Sequence, residues 1–323
     1  MIVLGSCWRQ PASTLPPTAG EEEPPSPTIV QSMEYQVRES LSVVNEGPGQ
    51  PTKQNLWMAL IRDVPPYQTV YSMDISPEPY QLSTDEYGNR YAEFDLSDMP
   101  PGTTVQIQLA YRVAVHELAY DLADCTGELP DAFTQAELHV ESNNAQIVEL
   151  AQQLEAGKET ACERVRAYYD YVGNHLVYSY NGADWGAQAS LGEMGADCTE
   201  YASLMMALSR AAGVPARYLS GVWAYGEAAP DDAAADAGTE HAWLEVYLPG
   251  VGWTPMDPTL GRSSLSREAY FAHLPPDHII VTVGRNPSTL RGSSYWTHLY
   301  WPGKSTTIRI EGFEWAITPA KDF

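Results

Sequence analysis

The chain has 323 residues, with 42 Asp plus Glu against 18 Lys plus Arg, for a formal net charge of −24. That sign excludes a nucleic-acid-binding surface, which needs dense basic residues to displace phosphate counterions, and it opposes direct binding to an anionic bilayer. With 44% hydrophobic residues, and no apolar run near the roughly 18 residues of a spanning helix, the composition is that of a chain that buries a core, long enough for about two domains.

The chain opens Met1-Ile2-Val3-Leu4-Gly5-Ser6-Cys7. Leu4-Gly5-Ser6-Cys7 resembles a bacterial lipobox, in which a Cys after small residues is lipidated, although the basic start and longer apolar run of a full signal are missing. Residues 8–30 are rich in Pro, Ser, Thr and Glu and have almost nothing to bury, as in a tether. The expectation is an exported or envelope-attached protein whose one link to a membrane is a lipid on Cys7; the alternative is a cytoplasmic protein whose Cys7 is incidental.

Residues 31–138 read as a β-rich domain. Short alternating or β-branched runs recur at 34–37, 41–44, 56–61, 69–73, 90–94 and 104–115, separated by turn signals such as Tyr87-Gly88-Asn89 and Pro100-Pro101-Gly102. Strands at this spacing predict a β-sandwich. The pattern then becomes helical, with apolar spacing over 144–156 and again over 160–176. Strands, then helices, then strands again indicate an α+β fold. Neither a dinucleotide-binding nor a P-loop motif occurs and no cysteine or histidine spacing suits a metal, so no cofactor is expected.

A third helix carries the strongest chemical signal. Tyr201, Leu204, Met205, Leu208, Ala211 and Ala212 share one face, which predicts that this face is buried. Asp197 and Glu200 form a capping-box pair, and Gly213 with Pro215 ends the helix. Cys198 therefore lies in the first turn, where free N–H groups and the positive end of the helix stabilise a thiolate and can face an oxyanion. Downstream, residues 241–248 alternate, a turn follows at 249–252, and a return strand runs from Trp253 to Asp257. A hairpin of this kind brings His241 and Asp257 together. Counting from a four-residue turn sets Asp257 opposite Leu244, about three residues short of His241, and a bulge or shorter turn closes the gap. A His between a thiol and a carboxylate is the arrangement that activates a cysteine nucleophile.

Asp197-Cys198-Thr199-Glu200-Tyr201, the stretch through Gly213-Val214-Pro215-Ala216-Arg217, His241-Ala242-Trp243-Leu244-Glu245-Val246-Tyr247, and Gly252-Trp253-Thr254-Pro255-Met256-Asp257-Pro258-Thr259 together resemble the bacterial and archaeal transglutaminase-like superfamily. The resemblance covers 139–262 and implies a papain-like core, with the Cys-bearing helix packed on an antiparallel sheet. It implies Cys198 as nucleophile, His241 as general base and Asp257 as the orienting carboxylate, with a protein or peptide as substrate. It implies acyl transfer at an amide, resolved by water (a peptidase or amidase) or by an amine (a cross-linking transglutaminase); a non-catalytic envelope scaffold is the competing class. It also calls for a second oxyanion donor besides the Cys N–H. Trp185 is the candidate, with lining of the cleft or packing as its alternative role, and Arg217 reads as structural.

The remaining features carry less. Cys125 and Cys162 are left over, either a disulfide in an oxidising compartment or, by default, two buried thiols. Asp184 reads as an exposed loop acid. Residues 226–240 are acidic and alanine-rich, a solvated loop or a gate for cationic acceptors, with no calcium-loop spacing. His273, His278 and His298 show no metal-ligand pattern, and residues 263–323 are expected to complete the core sheet.

Overall fold

A computed structural model describes residues 26–123, 125–180, 182–192, 195–224, 240–291, 296–303 and 306–320. The lipobox-like start with Cys7, most of the tether and nearly all of the acidic 226–240 segment lie outside the described residues. Within those residues, no helix is long and apolar enough to cross a membrane.

The N-terminal half is built from long antiparallel strands. β1 (Thr28–Pro48) pairs along its length with β6 (Thr104–Ala119), and from Tyr35 onward its residues alternate between buried and more exposed. The runs at 34–37 and 41–44 are thus one strand, with a register shift against its other neighbour between Ser40 and Ser42 and another between Asn45 and Gly47. β3 (Gln68–Ser76) also pairs with β6. A second sheet holds β2 (Asn55–Leu60), β4 (Gln81–Thr84) and β5 (Arg90–Asp95) in the order β2-β5-β4. Val37, Leu41, Ile107 and Leu109 of the first sheet and Leu56, Met58, Tyr91 and Phe94 of the second share one buried core, which makes the sandwich-like domain expected from the strand spacing.

The helices follow. α1 (Ala145–Glu155) starts at Asn144, whose side chain accepts from the Gln146 and Ile147 N–H groups. α2 (Ala161–His175) starts with a complete Thr160/Glu163 capping box. A single helical turn, α3 (Gly186–Ala189), precedes α4 (Cys198–Ala211). α4 is buried on nearly every side, and not only on the apolar face seen in the sequence. It is the central helix: α1, α2 and α3 pack against it, and a four-stranded sheet supports it from the other side. Arg210, buried near its end, is satisfied by the carbonyls of Ala216 and Gln135 and by Glu137.

That sheet has the order β11-β7-β8-β9, all antiparallel, from β7 (Ala216–Trp223), β8 (Glu240–Leu248), β9 (Gly252–Met256) and β11 (His278–Val283). Ala242, Leu244, Val246 and Leu248 of β8 pack toward the helices, whereas Trp243 joins Leu118, Leu219 and Ile280 in a separate cluster against the β-rich half. The alternation read along β8 therefore separates two buried faces, not a buried from a wet one.

Two expectations change. The C-terminal segment completes the core sheet only through β11. β10 (His273–Leu274) pairs with β6, β12 (Thr297–Tyr300) with β2, and β13 (Thr306–Pro319) with β1, so these strands finish the β-rich sheets. β13 alternates with a period of two, but nothing local states which sheet edge it will cover. Cys125 and Cys162 are not two free thiols; they form a disulfide that ties the loop before α1 to the first turn of α2.

Candidate active site

Cys198 is the first residue of α4. Asp197 precedes it as N-cap, accepting from the Thr199 N–H at 3.0 Å and from the Thr199 hydroxyl at 2.8 Å. Glu200 closes the box: its carboxylate accepts from the Asp197 N–H at 3.0 Å and from the Trp185 N–H at 2.9 Å. Burial is the main force raising the Glu200 carboxyl above its ordinary value. The thiol is half-buried and is the free cysteine among the described residues. Its backbone N–H, at the first helical position, has no intrahelical acceptor.

β8 begins beside this helix end and carries His241, 7% exposed. The hairpin turn is one residue shorter than counted: Leu248 pairs with Gly252, so Leu244 faces Met256 and Asp257 comes level with Trp243. His241 and Trp243 point to the same side of the sheet because side chains alternate with period two. That diagonal brings Asp257 Oδ2 to 2.6 Å from His241 Nε2. Asp257 is fully buried and held from all sides. Its Oδ1 accepts from the Thr259 and Leu260 N–H groups at 2.8 and 3.0 Å, its N–H donates to the Tyr270 carbonyl, and its carbonyl accepts from the Tyr169 hydroxyl. Burial works against its charge, but the charge and hydrogen bonds of His241 and His278 outweigh it and hold the carboxyl well below the usual range. Burial likewise opposes an imidazolium at His241, yet Asp257, together with a hydrogen bond to Cys198, takes it up to about 9. The structure thus brings Cys198, His241 and Asp257 together in one chain of contacts.

The same carboxylate has a second histidine partner. His278, fully buried at the start of β11, places Nε2 3.2 Å from Asp257 Oδ2 and Nδ1 2.7 Å from Asp277 Oδ1. Asp277 Oδ2 accepts from the Trp223 indole N–H at 3.0 Å. Burial opposes the His278 charge, and the two aspartates overcome it, raising the ring to about 9. Sequence reasoning left His278 among histidines without a pattern. Its place beside Asp257 depends on β11 lying next to β7, a pairing that the local sequence does not state. Donor atoms, one each from His241, Asp257 and His278, lie within 4.8 Å of one another, the chemistry of a metal donor set. Both imidazoles, however, contact one carboxylate oxygen directly at hydrogen-bond distance, and each turns its other nitrogen to a further protein group. This is a hydrogen-bonded chain in which the donors are already used.

Trp185 lies at the start of α3, 45% exposed, anchored by its backbone to Glu200 and hence to the Cys198 helix end. Asp184 is not a free loop acid: it pairs with buried Arg285 and lies 3.6 Å from His139. Arg217 pairs with buried Glu245 and stacks on Trp253 at 4.0 Å, away from the triad-like cluster. His273 bonds Glu117, and His298 packs by Trp57.

Residues 148–258, which contain all three clustered side chains, match the family model of the transglutaminase-like superfamily. This stretch is a transglutaminase-like domain. Over 156 residues the chain is 28% identical to the uncharacterized protein YebA of Bacillus subtilis, covering 44% of this chain and 20% of that one. Over 73 residues it is 37% identical to an uncharacterized protein of Haemophilus influenzae, covering 19% and 20%. The chain therefore spans about a fifth of the length of these curated relatives. A crystal structure named as that of a candidate cysteine protease from Cytophaga hutchinsonii superposes with a TM-score of 0.64 at 15% identity, covering 92% of this chain and 94% of that one. At that identity the likeness is one of fold, and it extends beyond the transglutaminase-like domain to the β-rich sheets.

Proposed function

We propose that the protein is a thiol enzyme that cleaves or transfers acyl groups at peptide or amide bonds. The observation that carries this is the contact chain from the helix-end Cys198 through His241 to buried Asp257. Cys198 Sγ attacks the carbonyl carbon while His241 holds the thiol proton. The tetrahedral oxyanion faces the Cys198 N–H, with the Trp185 indole as candidate second donor. The C–N bond breaks as His241 passes its proton to the leaving amine, leaving a thioester. Water or a second amine then attacks, His241 takes its proton, and the C–S bond breaks to restore Cys198. Asp257 keeps the imidazole oriented and offsets its charge at each stage. The substrate class is a protein or peptide. An exported location is supported by the Cys125–Cys162 disulfide, a bond suited to oxidising compartments, and a lipid on Cys7 remains the proposed anchor.

The test is turnover on a mixed library of peptides and glutamine amides with an amine probe present. Peptide cleavage identifies a hydrolase, amine incorporation identifies a transglutaminase, and silence in every arm points to the scaffold alternative. Cys198→Ala is expected to abolish both turnover and labelling by iodoacetamide at neutral pH. A wild-type Cys198 that labels no faster than a free thiol overturns the proposal.

A further inference from the structure

The catalytic reading leaves His278 unused, yet its surroundings are unusual for a core histidine. Both ring nitrogens face carboxylates, Nδ1 toward Asp277 and Nε2 toward Asp257. A carboxylate only accepts hydrogen bonds, whereas a neutral imidazole has one N–H and one bare lone pair. A neutral ring would set that lone pair against an anionic oxygen inside the protein. Only the imidazolium donates at both ends. The groups facing it are consistent with a compensated buried cation. From β8 come His241, with ring centres 5.7 Å apart, and Trp243, edge-on at 4.9 Å. The ring of Tyr270, in the short helix Arg267–Tyr270, lies 6.0 Å from that of His278, and Trp223 of β7 donates to Asp277. Tyr35 of β1 bonds the Pro276 carbonyl close to Asp277.

We propose that His278 is a positioning residue: held as an imidazolium between Asp277 and Asp257, it locks the Asp257 carboxylate and shares its negative charge, so that His241 can release a proton as well as hold one. This rests on the acyl-transfer reading of Cys198, His241 and Asp257. An unshared carboxylate beside His241 in a buried site would attract the imidazolium strongly, because charges interact more strongly where water is excluded. Acyl transfer requires His241 both to accept the thiol proton and to deliver it to the leaving amine. A second cation on the same oxygen splits that attraction, and the two N–H groups on Oδ1 fix the carboxylate plane.

The experiment follows the rate of iodoacetamide alkylation of Cys198 against pH in the full wild-type chain and in His278→Gln, which keeps a donor for Asp257 and removes the charge. Loss of a nearby cation makes every deprotonation harder, so the midpoint of the profile is expected to move to higher pH by about one unit. A purely structural role lowers the melting temperature and leaves the midpoint in place; an unmoved midpoint in a folded variant overturns the inference. A wild-type Cys198 that alkylates like a free thiol overturns the underlying catalytic reading instead, which keeps the two failures distinguishable. A further measurement needs no variant: ring ¹H–¹⁵N correlations of wild-type His278 at pH 7. Two ring N–H protons support the inference, and one overturns it.

Discussion

At the scale of single residues, Asp257 bears the most. One oxygen takes two imidazoles and the other takes two backbone N–H groups. Asp257→Asn preserves shape and removes the charge that holds His241 in place. The expected result is a loss of alkylation and turnover of roughly 10²–10⁴-fold with the fold retained, checked by rate measurements beside circular dichroism. The convergence of Cys198, His241 and Asp257 was legible in the sequence because each sits in a local pattern: a capping box, an alternating strand and the end of a hairpin. His278 was not, because its meaning comes from a strand neighbour. Asp184 was misjudged for the same reason, since its partner Arg285 lies far along the chain.

At the scale of elements, two features place these side chains. The first is the start of α4, where Asp197 and Glu200 satisfy the free N–H groups and tie in the Trp185 segment. Asp197→Ala is expected to cost about 1 kcal/mol of stability, measured by denaturant unfolding. The second is the close approach of β11 to β7 that carries His278 inward. At Gly221 an added Cβ would lie 1.9 Å from the Ile279 carbonyl oxygen, so only glycine lets the strands meet there. Gly221→Ala must push them apart. It is expected to destabilise by roughly 1–3 kcal/mol and to slow Cys198 alkylation together with it, seen as parallel losses in melting temperature and labelling rate. Elements and their types were largely legible, since period and caps are local. Their pairings were less so: the turn length that sets Asp257 level with Trp243 was one residue off, and α3 is too short to leave a periodic signal.

At the scale of the molecule, pH and redox state act on the fold as a whole. His241 and His278 are both raised from 6.5 to about 9, so their contribution to stability is full below 6.5 and disappears as pH rises through 9. Asp257 is depressed below 3.8, so its contribution is present above that value and fades only in strong acid. The melting temperature is expected to fall between pH 6.5 and 9, and to fall less in His278→Gln. Reduction of Cys125–Cys162 removes a cross-link spanning 37 residues of sequence. The expected loss is about 2–4 kcal/mol, read as a drop in melting temperature with reductant, and absent in a Cys125→Ser/Cys162→Ser variant.

The pairing of β13 with β1 sets Tyr35 opposite Pro319 and Pro48 opposite Thr306. During synthesis, β1 and β6 emerge before the helices and the core sheet, and the neighbour that covers the other edge of β1 follows only after them. The helices and core sheet come out in between, in one continuous stretch that can close on itself. The β1 edge therefore stays uncovered until the β13 segment has been made, and such an edge is open to pairing with other chains meanwhile. The sandwich is thus the part of the molecule that is closed after the core segments have been made, and the sheet that carries His241 packs against it through Leu219, Trp243 and Ile280.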